Sequence, residues 1–191
     1  FILVPASPRY VAPPQVAGMV RALAEEGCHL PTVAVCATGT LPEAVALAQE
    51  TGSSLLQWHG ATPQESIEEM ALPLILAWRV ADQVPWHELA ARPVWAHLLD
   101  SYVPGRLGGT GTPWHWELLR RAEPPPGRII LAGGLTPGNV GRAIRQVRPA
   151  GVDAHTGVEA SDGSKDPALV GAFVGEARRA FALLKGKPFG R

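Results

Sequence analysis

The sequence predicts an α/β protein in which short strands alternate with helices around a parallel sheet. Three observations predict it. Apolar, β-branched-rich runs recur along the whole chain of 191 residues. They are continuous rather than alternating, as strands covered on both faces are. Segments of helical periodicity separate them, so strand starts fall roughly 20 to 34 residues apart, a spacing suited to βα units. No composition shift or long polar linker divides the chain, so residues 1–191 are expected to form one domain around one core.

Seven strands are expected, each bounded by turn residues. Residues 1–4 (Phe-Ile-Leu-Val) stop at Pro5. Residues 32–37 lie between Pro31 and Thr38-Gly39, and 54–58 between Gly52-Ser53 and Gly60. Pro73 and Pro93 introduce 74–78 and 94–99, while Gly127 and Gly151 introduce 128–131 and 152–154. Helices are expected at 14–26, 41–51, 63–70, 114–122, 137–147 and 167–184. Thr62-Pro63, Thr112-Pro113, Thr136-Pro137 and Asp166-Pro167 are read as helix starts. A capping Thr or Asp satisfies orphan amides, and the donor that Pro lacks costs nothing in the first turn. An eight-stranded (β/α) barrel and an open doubly wound sheet both satisfy this pattern. Barrel closure needs one strand more than the seven. The sequence opens on Phe-Ile-Leu-Val-Pro, inside a buried strand and without Met, so a preceding βα unit is expected to supply it.

Lys+Arg and Asp+Glu number 17 each, giving zero formal charge, which argues against an electrostatic surface for nucleic acid or acidic membrane. Any anion must be held locally. Cys28 and Cys36 make neither a disulfide framework nor a zinc site, and a reducing cytoplasm fits them. Both read as small buried hydrophobes, since no neighbour in sequence would lower a thiol pKa. The longest strongly apolar run, 71–78, is too short to span a bilayer.

In either architecture the chemistry gathers at the C-terminal ends of the strands. Gly133-Gly134 follows one strand and Thr156-Gly157 the next. Consecutive amides there form an anion nest, as at the phosphate sites of many barrels, or the glycines simply make tight turns. Gly108-Gly109-Thr110-Gly111 closes over a ligand or turns. Asp100 ends an apolar run, an expensive place for a carboxylate unless it is hydrogen-bonded or catalytic, although an Asx turn would also place it there. Arg9 is placed either to fork onto a substrate carboxylate or to sit exposed and idle. His59 is equally open. His29, His87, His97 and His115 read as structural or exposed, and the six tryptophans as packing residues.

Taken in order, these segments resemble the phosphoribosylanthranilate isomerase family of tryptophan biosynthesis, from Phe1 to about Phe173. Phe-Ile-Leu-Val-Pro-Ala-Ser-Pro-Arg-Tyr-Val looks like the family's second strand and following loop. Leu-Gln-Trp-His-Gly looks like its fourth strand and Leu-Leu-Asp-Ser like its sixth. Gly-Gly-Thr-Gly, Leu-Ala-Gly-Gly-Leu-Thr-Pro-Gly-Asn-Val and Gly-Val-Asp-Ala-His-Thr-Gly-Val-Glu, with Gly163-Ser164-Lys165-Asp166, complete the series.

The resemblance implies a (β/α)8 TIM barrel whose first strand and helix are absent from the given sequence. It implies an Amadori rearrangement of N-(5-phosphoribosyl)anthranilate to 1-(2-carboxyphenylamino)-1-deoxyribulose 5-phosphate, with no metal or organic cofactor. Asp100 matches the general acid and Arg9 the arginine that binds the anthranilate carboxylate. Asp153 matches a carboxylate near the ribose. Gly133, Gly134, Thr156 and Gly157 match the phosphate loops, with Gly109 and Gly111 closing nearby; His59 is counted among the substrate-binding residues. The family's general base is a cysteine ending the first strand, a position that neither Cys28 nor Cys36 occupies. The given chain is therefore expected to be inactive alone, since losing a positioned base typically costs about 100- to 10,000-fold. Thr112 stands where the family has lysine, and Trp114-His115-Trp116 where it has Phe-Asp-Trp. The expected partner is a small-molecule substrate, with no nucleic acid or membrane, in a cytoplasmic monomer or homodimer. Rival readings are another phosphate-binding barrel enzyme, such as indole-glycerol-phosphate synthase or an epimerase, and a non-catalytic phosphate-ligand-binding domain. The former would want a lysine or a metal-ligand set at strand ends, and Lys165, Lys185 and Lys187, the chain's three lysines, do not follow strands directly.

Overall fold

A computed structural model describes residues 1–61, 67, 70–81, 83–101, 116, 119 and 127–185. Six of the expected runs form a sheet: β1 (Val33–Cys36), β2 (Leu55–Trp58), β3 (Leu74–Val80), β4 (Ala96–Ser101), β5 (Ile129–Leu131) and β6 (Gly151–Val152). They lie in sequence order across it, and the pairs β1–β2, β2–β3 and β5–β6 are parallel. A doubly wound sheet reverses its strand order at a switch point. This one does not, which removes that alternative.

The barrel expectation is corrected. Among the described residues the chain is an α/β fold with an open six-stranded sheet, not a (β/α)8 barrel short of its first unit. The expected strand at 1–4 is reduced to single-residue bridges from Ile2 to Val35 and Tyr10. The Phe1 amino group donates to Val33 O (2.7 Å), Val35 N–H to Phe1 O (2.8 Å) and Leu3 N–H to Val35 O (2.9 Å). Pro5, which has no amide to donate, and the turn that follows then end the pairing. The run expected at 152–154 is likewise shortened, with β6 only two residues long.

The described chain divides into two compact units. The first comprises Phe1–Ala77 and Ala91–His97. In it α1 (Pro13–Glu25) and α2 (Leu41–Glu50) form within a residue of expectation. Val16, Ala34, Ala48 and Leu56 are wholly buried there. Thr40 starts α2: Glu43 N–H donates to its hydroxyl (3.4 Å) while its own N–H donates to the Glu43 carboxylate (2.8 Å), a capping box.

The second unit comprises Trp78–Ala90 and Leu98–Arg191. It holds α3 (Trp86–Ala90), a five-residue helix that periodicity does not reveal, then α4 (Val140–Val147), a 3-10 turn (Thr156–Val158) and α5 (Pro167–Lys185). Asp166 caps α5 as expected, accepting from Ala168 N–H (2.7 Å) and Leu169 N–H (3.3 Å). The helix expected from Pro137 begins three residues later, because Thr136 and Pro137 belong to the loop before it. Val140, Ala143 and Ile144 of α4 are buried where it packs against α5, which buries Phe173, Ala177 and Ala180. The helices expected at 63–70 and 114–122 fall almost wholly outside the described residues. No helix among the described residues is long and apolar enough to cross a membrane.

Candidate functional site

Backbone register aligns three strand ends in the second unit. Ala132 N–H donates to Leu99 O (2.8 Å), and Asp153 N–H donates to Leu131 O (2.9 Å). Asp100, near the end of β4, and Gly133 and Asp153, just beyond β5 and β6, therefore lie at neighbouring levels. Asp100 is half-buried, still within β4 and behind the buried Leu98 and Leu99.

Gly133 and Gly134 both adopt positive φ, 86° and 63°, a conformation that side-chain-bearing residues rarely take. Their amides donate to no acceptor among the described residues. The loop they open is tied by Asn139, whose Oδ1 accepts from Thr136 N–H (2.8 Å) and whose Nδ2 donates to Gly134 O (2.9 Å). One side chain thus fixes the loop through both an acceptor and a donor.

The 3-10 turn at Thr156–Val158 lies directly on this loop. A β-carbon on Gly157 would overlap the Leu135 carbonyl oxygen and touch Thr136 Cγ2, so only glycine permits the approach. His155 and Glu159 flank the turn. Lys165 Nζ donates to His155 O (2.8 Å) and to Glu159 Oε1 (2.9 Å), and His155 Nδ1 lies 3.9 Å from the same carboxylate oxygen.

Asp153 stands between the two loops in sequence. Its side chain is exposed, yet the surrounding protein pushes its carboxyl pKa up from the ordinary 3.8, with Lys165 pulling the other way.

Arg9 and His59 belong to the first unit. Arg9 is half-buried in the turn after residues 1–4, its N–H donating to Ser7 Oγ (3.2 Å). His59 follows β2, where its N–H donates to Cys36 O (2.8 Å) and its Nε2 lies 2.7 Å from Gln57 Nε2. The Gln57 amide nitrogen can only donate, so His59 Nε2 is the acceptor in this contact. Cys36 is buried as expected, and burial pushes its thiol pKa up; Cys28 is half-buried, less covered than its reading as a core residue implies. An open cavity of about 420 Å³, lined by Ile67, Leu72, Leu74, Val94 and Trp95 among others, lies at the starts of β3 and β4, the strand ends opposite to those bearing the candidate residues.

The structure thus gathers Gly133, Gly134, Thr156 and Gly157 into one glycine-lined surface, with Asp100 and Asp153 at the adjoining strand ends. Gly109 and Gly111 lie outside the described residues. No group of three or more His, Cys, Asp or Glu among the described residues is arranged to hold a metal. Sequence reasoning passes over Asn139, because Thr-Pro-Gly-Asn reads as readily as a helix start. It also passes over the contact of Lys165 with Glu159, whose one signal is a spacing of six residues across an Asp162-Gly163 turn.

Comparison with known proteins adds to this geometry. Residues 1–176 match the family described as N-(5'phosphoribosyl)anthranilate (PRA) isomerase. The chain is 48% identical over 127 residues to N-(5'-phosphoribosyl)anthranilate isomerase of Moorella thermoacetica, an alignment spanning 66% of this chain and 56% of that protein. It is similar to the crystal structure of phosphoribosyl anthranilate isomerase from Thermotoga maritima, with a TM-score of 0.80 and 29% identity over 94% of this chain and 86% of that one. It is also similar to a phosphoribosyl anthranilate isomerase crystallised with reduced 1-(o-carboxyphenylamino)-1-deoxyribulose 5-phosphate. There the TM-score is 0.68 and the identity 26%, covering 94% of this chain and 86% of that one.

Proposed function

The chain belongs to the N-(5'-phosphoribosyl)anthranilate isomerase family, and from that premise we propose that it converts N-(5-phosphoribosyl)anthranilate to 1-(2-carboxyphenylamino)-1-deoxyribulose 5-phosphate in tryptophan biosynthesis. The observation that carries this reading is the contact of Gly157 with Leu135, which joins two glycine loops into one amide-rich surface beside two carboxyls. Amides in positive-φ glycines, with no acceptor among the described residues, suit a phosphate dianion, which they bind without a charged side chain.

With the phosphate end held there, Asp100 is the general acid. It protonates the ribose ring oxygen, the C1–O bond breaks, and the anthranilate nitrogen lone pair closes a Schiff base to C1. A general base then takes the C2 proton, the electrons return through C1–C2 to nitrogen, and the resulting enol becomes the ketose. Burial-held Cys36, kept as a thiol, is poorly suited to be that base. Asp153 is assigned to the ribose, where its carboxyl, with its pKa raised by the surrounding protein, would hydrogen-bond a sugar hydroxyl. Arg9 and His59 keep their substrate-binding assignments on the sequence pattern. The cytoplasm is the location that suits a biosynthetic enzyme of this kind.

The test is turnover of phosphoribosylanthranilate by the protein expressed from its whole reading frame. Formation of the ketose product is the expected result. Phosphate binding with no turnover would replace this reading with that of a phosphate-ligand-binding domain.

A further inference from the structure

Lys165 is the residue whose role the proposed chemistry leaves unexplained. Its ammonium sits beside the Thr156–Val158 turn, one of the two loops read as a phosphate site, so direct contact with the ligand is the obvious assignment. The geometry favours another. The 3-10 turn at Thr156–Val158 is closed by weak hydrogen bonds, Val158 N–H to His155 O at 3.4 Å and Glu159 N–H to Thr156 O at 3.2 Å. Both lie at or beyond the long end of the N–H···O range, and short 3-10 segments have little stability of their own. Lys165 supplies two shorter, charge-assisted bonds, to the carbonyl of the N-cap His155 at 2.8 Å and to the carboxylate of the C-cap Glu159 at 2.9 Å.

Lys165 is itself held in place. Glu159 and Lys165 form an antiparallel bridge, Ala160 N–H donates to Ser164 O (2.8 Å), and the Asp162 carboxylate closes the turn by accepting from Ser164 N–H (2.9 Å) and Oγ–H (2.7 Å). The Glu159 side chain is only 7% exposed, so its charge needs a near partner, whereas that of Lys165 is 46% exposed.

We infer that Lys165 is a positioning residue, a clamp that joins both caps of the Thr156–Val158 turn and so holds the Thr156 and Gly157 amides towards a phosphate, with Glu159 rather than the ligand as its ionic partner. The inference rests on reading the two glycine loops as a phosphate site.

The experiment measures inorganic phosphate affinity by calorimetry in the full chain and in Lys165→Met, Lys165→Arg and Glu159→Gln, with steady-state kinetics where turnover is present. Lys165→Met is expected to weaken phosphate about tenfold and to raise KM by a similar factor, with kcat within about twofold, because the grip is shared by ground and transition states. Lys165→Arg, able to donate to both a carbonyl and a carboxylate, should recover most of the loss. Glu159→Gln decides between the two roles. A clamp loses its anchor and phosphate weakens; a lysine bound to the ligand is released and phosphate tightens. Tightening in Glu159→Gln, or unchanged affinity in Lys165→Met, overturns the proposal. Failure of the unsubstituted chain to bind phosphate overturns the reading of the loops instead. Amide hydrogen exchange at residues 156–159 then judges the clamp by itself: faster exchange in Lys165→Met supports it, and unchanged exchange overturns it.

Discussion

The α-carbon of Gly157 rests against the carbonyl oxygen of Leu135, closer than any residue with a β-carbon could come. Leu135 follows Gly133 and Gly134 after β5, and Gly157 follows Asp153 after β6. This contact turns two separate loops into one surface, and a methyl group placed there tests it.

Gly157→Ala should cost about 1–3 kcal/mol of stability, the usual penalty for forcing a methyl group into packed backbone, and should weaken phosphate sharply. Gly138→Ala is the control in the same loop, since the nearest atom to its added β-carbon is 3.8 Å away. Thermal melts and phosphate titration of both variants check the prediction. Equal behaviour would mean that the contact does not organise the site.

Asn139→Ala removes both an acceptor for Thr136 N–H and a donor to Gly134 O. Each such bond is worth about 0.5–1.5 kcal/mol net. Asn139→Asp keeps the acceptor but sets a carboxylate oxygen against the Gly134 carbonyl. It should therefore bind phosphate no better than Asn139→Ala, and calorimetry of the pair reads this directly.

Asp153 gives a pH signature. Its folded pKa lies above the unfolded value near 3.8, so the folded chain holds this proton more tightly than the unfolded chain does. Below the unfolded value both states are protonated and the group is neutral to stability. As pH rises from there through the folded pKa, stability is lost and is not regained at higher pH. Asp153→Asn does not titrate. Urea midpoints should therefore move in favour of the variant as pH is raised from about 3 to neutrality.

Asp100→Asn removes the proton proposed for the ring oxygen while nearly preserving shape. Turnover should fall by about 100- to 10,000-fold with phosphate affinity unchanged, because the acid acts at the other end of the substrate. Product formation and phosphate titration separate those two effects. Retained turnover would take Asp100 out of the chemistry.

Six strands were legible because continuous apolar runs between Gly and Pro have few other uses. The strand at 1–4 carried the same signal but not the same outcome. Apolar character tells which residues seek cover, whereas ladder length depends on where Pro5 and the next turn pull the chain away. Closure into a barrel was illegible for a related reason, since it is a property of both sheet edges and no local pattern encodes it. The glycine loops were found from composition. Their union was not, because it depends on a through-space approach between Gly157 and Leu135, 22 residues apart in sequence. Asn139 and Lys165 escaped for the same cause: both act through bonds to backbone carbonyls or amides, which have no residue identity to recognise.

Because the ammonium of Lys165 is already committed to Glu159, the phosphate end of the substrate would meet donors that do not titrate. Amide protons stay in place throughout the pH range in which a protein survives. Any pH dependence of anchoring then belongs to the ligand, through the second ionisation of its phosphate near pH 6. The rate of the rearrangement would follow a different pH curve, set by carboxyls at the reacting end, so the two halves of one substrate can be told apart by titration alone.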